Sequence, residues 1–385
     1  MSLTPLTEVQ REIRSLARTF AADAIAPHAA RWDREACFPV AVARQMGALG
    51  FLGMLIPEQF DGLGLDTTSY LLALEEISAA DASAAVLMSV HNSLPTQMLL
   101  HFGSDEQREH YLKPMARGEL LGAFALSEPE SGSDASSLTC QAVREGDEWV
   151  ISGTKSWVTS GSFADVIMVM ARTDTPGARR GSKGISAFIV TPDRPGFHVG
   201  KKEDKMGLRA SPTVQLNFDG LRLPAGNLLG EEGQGFVYAM RSLDNGRLGI
   251  AAQALGIARA ALDASLAYAA ERRQFKQAIR EFQAIQFKLA DMASRIESAR
   301  ALLHATAAAK DRGESITMHG SMCKLLASET AMFVTTEAVQ IFGGYGYVKD
   351  YPVEKYFRDA KITEIYEGTS EIQRVVIARE LYGGR

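Results

Sequence analysis

From about Gly122 to Phe218 the apolar residues recur at every second position or in short, turn-bounded runs, whereas on both sides they recur at helical spacing. A period of two puts successive side chains on opposite faces of a strand, and a period of 3.6 gathers them into one stripe of a helix. A chain that switches from one period to the other and back must build a helical region, a β region and a second helical region, each with an apolar face to bury. The expected fold class is therefore α+β and multidomain. It comprises an N-terminal α-helical domain over residues 1–122, a middle antiparallel, β-barrel-like domain over 123–231 and a C-terminal four-helix-bundle domain over 232–385.

Local signals place the elements. Thr7 and Gln10 form a capping-box pattern ahead of Val9, Ile13, Leu16, Phe20 and Ala24, so a first helix is predicted there, interrupted at Pro27. Helical patterns continue over 39–50, 69–80 and 104–118, punctuated by Gly62-Leu63-Gly64 and Pro95. Strands are predicted over 147–153, 165–172, 184–192 and 213–218; in the last, Val214, Leu216 and Phe218 alternate with Thr213, Gln215 and Asn217. Ala-rich helices follow over roughly 236–270, 281–311, 321–341 and 370–382.

Composition narrows the function. With 46% hydrophobic residues the 385-residue chain can bury a large core. Its 41 basic and 46 acidic side chains, net charge -5, give no footprint for a phosphate backbone, so no nucleic-acid partner is expected. Cys37, Cys140 and Cys323 form neither a disulfide framework nor a CxxC pair, which fits a reducing compartment. The stretch from Thr4 to Asp33 has no apolar core of the kind a signal peptide carries, and no run is expected to span a bilayer. A cytoplasmic location without membrane association is expected, or the mitochondrial matrix if a transit peptide has been removed. The glycine-rich stretches Gly230 to Gly235 and Gly343 to Gly346 have the wrong spacing for a nicotinamide site. P-loop, HExxH and GxSxG patterns are missing and the 7 histidines are scattered, so no metal site is expected.

Five separated motifs remain. They are Phe124-Ala-Leu-Ser-Glu-Pro-Glu-Ser-Gly-Ser-Asp134 at the junction of the first two domains, Trp157-Val-Thr159, Arg272-Arg-Gln-Phe275, Gln340-Ile-Phe-Gly-Gly344 and Ile365-Tyr-Glu-Gly-Thr-Ser370. In this order, over nearly the whole chain, they resemble the acyl-CoA dehydrogenase family. Leu243-Asp-Asn-Gly-Arg-Leu-Gly-Ile250 and the run from Arg358 to Gln373 look most like its short-chain, butyryl-CoA type.

The resemblance implies FAD-dependent α,β-dehydrogenation of a short acyl-CoA to the trans-2-enoyl-CoA. Glu367 would abstract the α-proton and the flavin N5 would accept the β-hydride. A carbon acid beside a thioester needs a positioned base and fixed donors at the carbonyl oxygen. The family's second location for the base is Gly246 here, which carries no acid. Burial beside an apolar chain should raise the pKa of Glu367. By the same resemblance Phe124, Leu126, Ser127, Ser133, Trp157, Val158 and Thr159 would contact the flavin. Arg272, Gln274, Phe275, Gln283, Gln340, Ile341, Gly343 and Gly344 would bind the pyrophosphate and adenosine from a neighbouring subunit, with Thr369 and Glu371 also on the cofactor. Ser133, Asp244, Arg247, Tyr366 and Gly368 would contact the acyl-CoA, and Thr369 or Ser370 would cap the helix after the base. Glu130 and Lys276 stand where glycine is usual. A homotetramer, with an electron-transfer flavoprotein as electron acceptor, is the implied assembly.

Ser89-Val-His-Asn-Ser-Leu94 should line the acyl end. Relatives that use glutaryl-CoA carry an arginine at the position of Ala85, so a second carboxylate on the substrate would be buried unpaired unless Arg241 met it. A short branched thioester such as isobutyryl-CoA or 2-methylbutyryl-CoA is the alternative substrate. An acyl-CoA oxidase and a non-catalytic flavin-binding relative are the competing readings.

Overall fold

The computed structural model of the chain describes residues 5–174 and 181–383. Helices come first: α1 (Glu8–Phe20), α2 (Ala29–Glu35), α3 (Val40–Ala48), α4 (Thr67–Ala80), α5 (Ala82–Ser93) and α6 (Pro95–Phe102), then the short α7 (Asp105–Gln107) and α8 (Lys113–Ala116). Thr7 and Gln10 close the capping box reciprocally, at 3.2 and 3.0 Å. The interruption expected at Pro27 comes after a π-helical turn over Ala21–Ile25. Helix α5 was not predicted because all of its residues are buried, which leaves no polar face to mark a period. Pro95 does not break the chain but starts α6, where its missing N–H has no partner to lose.

The middle region is one sheet of β1 (Gly122–Ala125), β2 (Gln141–Glu145), β3 (Glu148–Thr159), β4 (Val166–Arg172), β5 (Ile185–Val190), β6 (Phe197–Lys202), β7 (Thr213–Pro224) and β8 (Leu228–Leu229). Its path is β6-β7-β3-β2-β4-β5-β8, with β1 beside β4. Most neighbours are antiparallel, but β1 runs parallel to β4 and β2 meets β4 in parallel at Gln141 and Arg172, so the sheet is mixed. Among the described residues no pairing joins β6 to β8, and the expected barrel-like closure is not made by hydrogen bonds. Strand β4 is buried on both faces. Ile167, Val169 and Ala171 join a core inside the sheet, and Val166, Met168 and Met170 join one shared with the helices. That double burial is why it reads as a continuous apolar run.

The chain then forms α9 (Gly235–Glu271), the hairpin of β9 (Arg273–Gln274) and β10 (Gln277–Ala278), α10 (Gln283–Asp311), α11 (Thr317–Phe342), α12 (Val353–Ile362) and α13 (Ser370–Leu381). Helix α11 packs against α9, α10, α12 and α13, so the unpredicted α12 makes a fifth member of the bundle. Helix α9 also packs on α4 and α5, and one apolar cluster runs from Ala17 to Ala360. The two helical regions thus share a core. Helix α9 has, over a window of mean hydropathy 1.2, the length and apolarity of a membrane span, contrary to expectation; 67% of that window is buried inside the protein. Its apolar surface is used for packing against the other helices.

Candidate active site

Glu367 lies in the turn between α12 and α13, and its backbone there is left-handed. Glu367 has φ +52° and Gly368 φ +90°. Such a conformation is costly for a residue with a Cβ and must be held by its surroundings. Three donors hold it through four hydrogen bonds. Ser370 N donates to Glu364 O at 2.9 Å, Gln373 Nε2 donates to the carbonyls of Gly368 (2.9 Å) and Glu367 (3.3 Å), and Lys324 Nζ on α11 donates to Gly368 O at 2.6 Å. Thr369 is the cap of α13, accepting from Ile372 N at 3.3 Å, so its hydroxyl already has a partner.

Both carboxylate oxygens of Glu367 are buried and, among the described residues, have no hydrogen-bond partner. Desolvation raises its pKa to about 7, against the pull of Lys324 and Arg247. Gly246 on α9 makes room for the carboxylate: a Cβ there would fall 2.1 Å from Oε2. One turn on, a Cβ at Gly249 would fall 2.4 Å from Ser89 Oγ and 3.0 Å from Tyr70 Oη. The carboxylate is therefore seated on α9 at Gly246, with Tyr70 of α4 and Ser89 of α5 packed on the same helix one turn further along.

The residues expected around the thioester are sorted by the structure. Tyr366 adjoins the base and its hydroxyl donates to Gln253 Oε1. Arg247 pairs with Asp244, which also accepts from Thr317 Oγ1 at 3.1 Å. Arg247 is buried and close enough to Glu367 to lower its pKa, so its charge serves the carboxylate. Of the stretch expected at the acyl end, Ser89 lies against Gly249 of α9. His91 lies between Met115 O (3.1 Å) and Gly122 N (3.1 Å), Asn92 Nδ2 donates to Phe51 O (2.8 Å) while its Oδ1 has no partner among the described residues, and Ser93 donates to Ser89 O (2.6 Å). Burial lowers the pKa of His91 to about 4, so it is a neutral pin between α5 and β1. Ala85 is buried and Arg241 is exposed.

The segment after β1 is tied to β3 by a pair the sequence reading missed. Lys155, fully buried, donates to Leu126 O (2.9 Å) and Glu128 Oε1 (2.8 Å), and Glu128 also accepts from Thr139 N and Cys140 N. Ser156 N donates to Ser127 O at 2.9 Å. A register shift against β7 between Lys155 and Val158 forms a bulge; Trp157 there has φ +61° and is 62% exposed, while Val158 turns into the sheet core. The Val158 side chain is therefore unavailable to a ligand. Phe124 and Leu126 pack at the junction, Thr159 is half-buried, and Ser133 and Glu130 are exposed on the loop.

A third group lies at the other end of α9. Arg272, Gln274, Ile341, Gly343 and Gly344 line a groove of about 730 Å³ with Tyr345, whose ring lies 5.3 Å from the Arg272 guanidinium. Gln283, Gln340 and Glu371 are exposed and do not line that groove. Phe275 and Lys276, at φ +49° and +70°, form the turn of the β9–β10 hairpin, and that explains why glycine suits the second position. Phe275 is 88% exposed.

Three consecutive domains of one family match this chain: acyl-CoA dehydrogenase N-terminal domain over residues 7–119, middle domain over 123–221 and C-terminal domain over 233–382. The chain belongs to the acyl-CoA dehydrogenase family, whose members are FAD-dependent. It is 50% identical over 376 residues to the short-chain specific acyl-CoA dehydrogenase of mitochondria from Mus musculus, covering 98% of this chain and 90% of that one. Butyryl-CoA dehydrogenase from Megasphaera elsdenii superposes with a TM-score of 0.96 at 43% identity, covering 98% of this chain and 99% of that one. A chain from the structure of the electron transferring flavoprotein of Acidaminococcus fermentans superposes with a TM-score of 0.96 at 46% identity, covering 99% of both.

Proposed function

We propose that the chain oxidises a short, linear acyl-CoA to its trans-2-enoyl-CoA, with Glu367 as the base that removes the α-proton. The observation that carries this is a buried carboxylate with no partner among the described residues, its pKa raised to about 7, against a glycine that leaves room for it. A carboxylate in ordinary water is too weak a base for a carbon acid, and desolvation brings it nearer to the task. Among the described residues the Glu367 N–H has no internal acceptor, so it is free to donate to the thioester carbonyl, where charge develops as the proton leaves. When bound, FAD supplies the acceptor for the hydride leaving the β carbon.

The exposed, left-handed Trp157 offers an aromatic face that a flat ring system would cover, with Leu126, Ser127 and Thr159 beside it. The Arg272 groove fits the other half of a dinucleotide. An added Cβ at Gly343 or Gly344 would meet nothing within 4 Å, so backbone is open to close approach there. Arg247 and Arg272 are roughly 38 Å apart along α9 at 1.5 Å per residue, too far for one cofactor to bridge within one chain. The groove therefore serves the cofactor of a neighbouring copy, in a homotetramer. Arg272→Glu is expected to lower FAD content and weaken the tetramer together, read by absorbance and sedimentation. Full FAD in a stable monomer would contradict it.

Tyr70 and Ser89, packed against Gly249 one turn from the base, support a short acyl chain, and butyryl-CoA is the substrate the likeness to the Megasphaera elsdenii enzyme favours. The likeness to the Acidaminococcus fermentans chain favours an electron-transfer flavoprotein as acceptor. The test is an anaerobic panel of acyl-CoA substrates, read by loss of visible flavin absorbance. Butyryl-CoA should bleach the flavin fastest. Glutaryl-CoA should be slower by about a hundred-fold, since its second carboxylate would be buried without a partner. Preference for isobutyryl-CoA would establish the branched reading, and no bleaching by any short thioester would remove the enzymatic one.

A further inference from the structure

Lys324 belongs to none of the sequence motifs. It lies on α11 in register with Gly320, Ala327 and Ala331, all buried, so an ammonium group stands in an apolar helix stripe. Burying a charge is unfavourable unless something nearby needs it. Its Nζ donates to Gly368 O at 2.6 Å, the carbonyl that follows the base. With Gln373 it clamps both carbonyls of the left-handed Glu367–Gly368 turn from two different helices.

We infer that Lys324 is the positioning residue of the base: it pins the Glu367–Gly368 turn through the Gly368 carbonyl and sets a buried positive charge beside the base. This rests on Glu367 being the base. The groups facing Glu367 are Lys324 from α11, Arg247 from α9, Tyr70 from α4 and the neighbouring Tyr366. Arg247 already shares its charge with Asp244. Lys324 in turn faces Arg247, Glu364 and Glu371 besides Glu367. Its own pKa is lowered to about 8 by burial, and the attraction of Glu367 opposes that shift. Lys324 thus keeps its charge in the range where the base must lose its proton.

The test is the pH profile of kcat/KM with butyryl-CoA and a dye acceptor, on FAD-loaded enzyme. In the wild type the acid limb should titrate near the raised pKa of Glu367. Lys324→Gln, which keeps a donor and loses the charge, should move that limb to higher pH by about one unit. Its rate at low pH should fall about ten-fold, with FAD content unchanged. Lys324→Arg, which keeps the charge, should leave the limb near its wild-type position. If the glutamine variant does not accumulate, Lys324→Met, apolar and of similar length, serves for the same measurement. An acid limb that neither neutral variant moves would overturn the inference while leaving Glu367 as the base. A wild-type enzyme that bleaches with no short thioester would instead remove the functional reading beneath it.

Discussion

Glu367→Gln is expected to lose turnover with butyryl-CoA by about a thousand-fold or more while retaining FAD, because the amide is nearly the same shape and cannot take a proton. Among the described residues no other carboxylate shares its setting, both oxygens buried and unpaired with its pKa raised to about 7. Gly246, the family's other location for the base, provides none. The same variant should change stability with a definite sign. Glu367 has a folded pKa raised from 4.5 to about 7, so the folded state holds that proton more tightly than the unfolded chain. Ionising it therefore weakens the fold as pH rises through that window, by on the order of 3 kcal/mol once pH exceeds about 7. The stability of Glu367→Gln relative to wild type should rise between pH 4.5 and about 7 and then level off. Melting curves at pH 5 and pH 8 measure this, and a pH-independent difference would mean that the carboxylate is solvated.

Gly246→Val should also slow the reaction, by a different route and to a smaller extent. A Cβ at 246 would fall 2.1 Å from Glu367 Oε2, and that atom is the free end of a flexible side chain. The chain can therefore fold, but the carboxylate must swing away from its place. A displacement of about an ångström at a reacting group costs roughly a hundred-fold in rate. The variant should keep its FAD and lose kcat, with a smaller change in KM. A wild-type kcat in Gly246→Val would show that the position of this carboxylate does not limit the reaction.

Much of this was legible in the sequence because periodicity reports faces. The switch between helical and strand spacing located the three regions, and the Thr7–Gln10 box located the first helix. Where a segment is buried all round the signal vanishes, as in α5. The mixed character of the sheet was hidden because parallel pairing of β1 with β4 depends on a partner more than forty residues away. At the site, Glu367 and the motif around it could be read directly. Its supports could not, because each is a single residue meeting the site through tertiary packing. Lys324 contacts a carbonyl forty-four positions on, and Lys155 reaches back across twenty-nine to Leu126. The available signal was a lysine in phase with a buried stripe: Lys324 falls in line with Gly320, Ala327 and Ala331. The burial of Arg247 and its pairing with Asp244 were likewise invisible in the motif that carries them.

The most direct measurement is the rate of anaerobic flavin bleaching by butyryl-CoA carrying hydrogen or deuterium at the α carbon, in the wild type and in Glu367→Gln. Proton abstraction by Glu367 predicts slower bleaching with deuterium in the wild type, and almost none with either substrate in the variant. Bleaching of Glu367→Gln at the wild-type rate, with the same isotope effect, would contradict it.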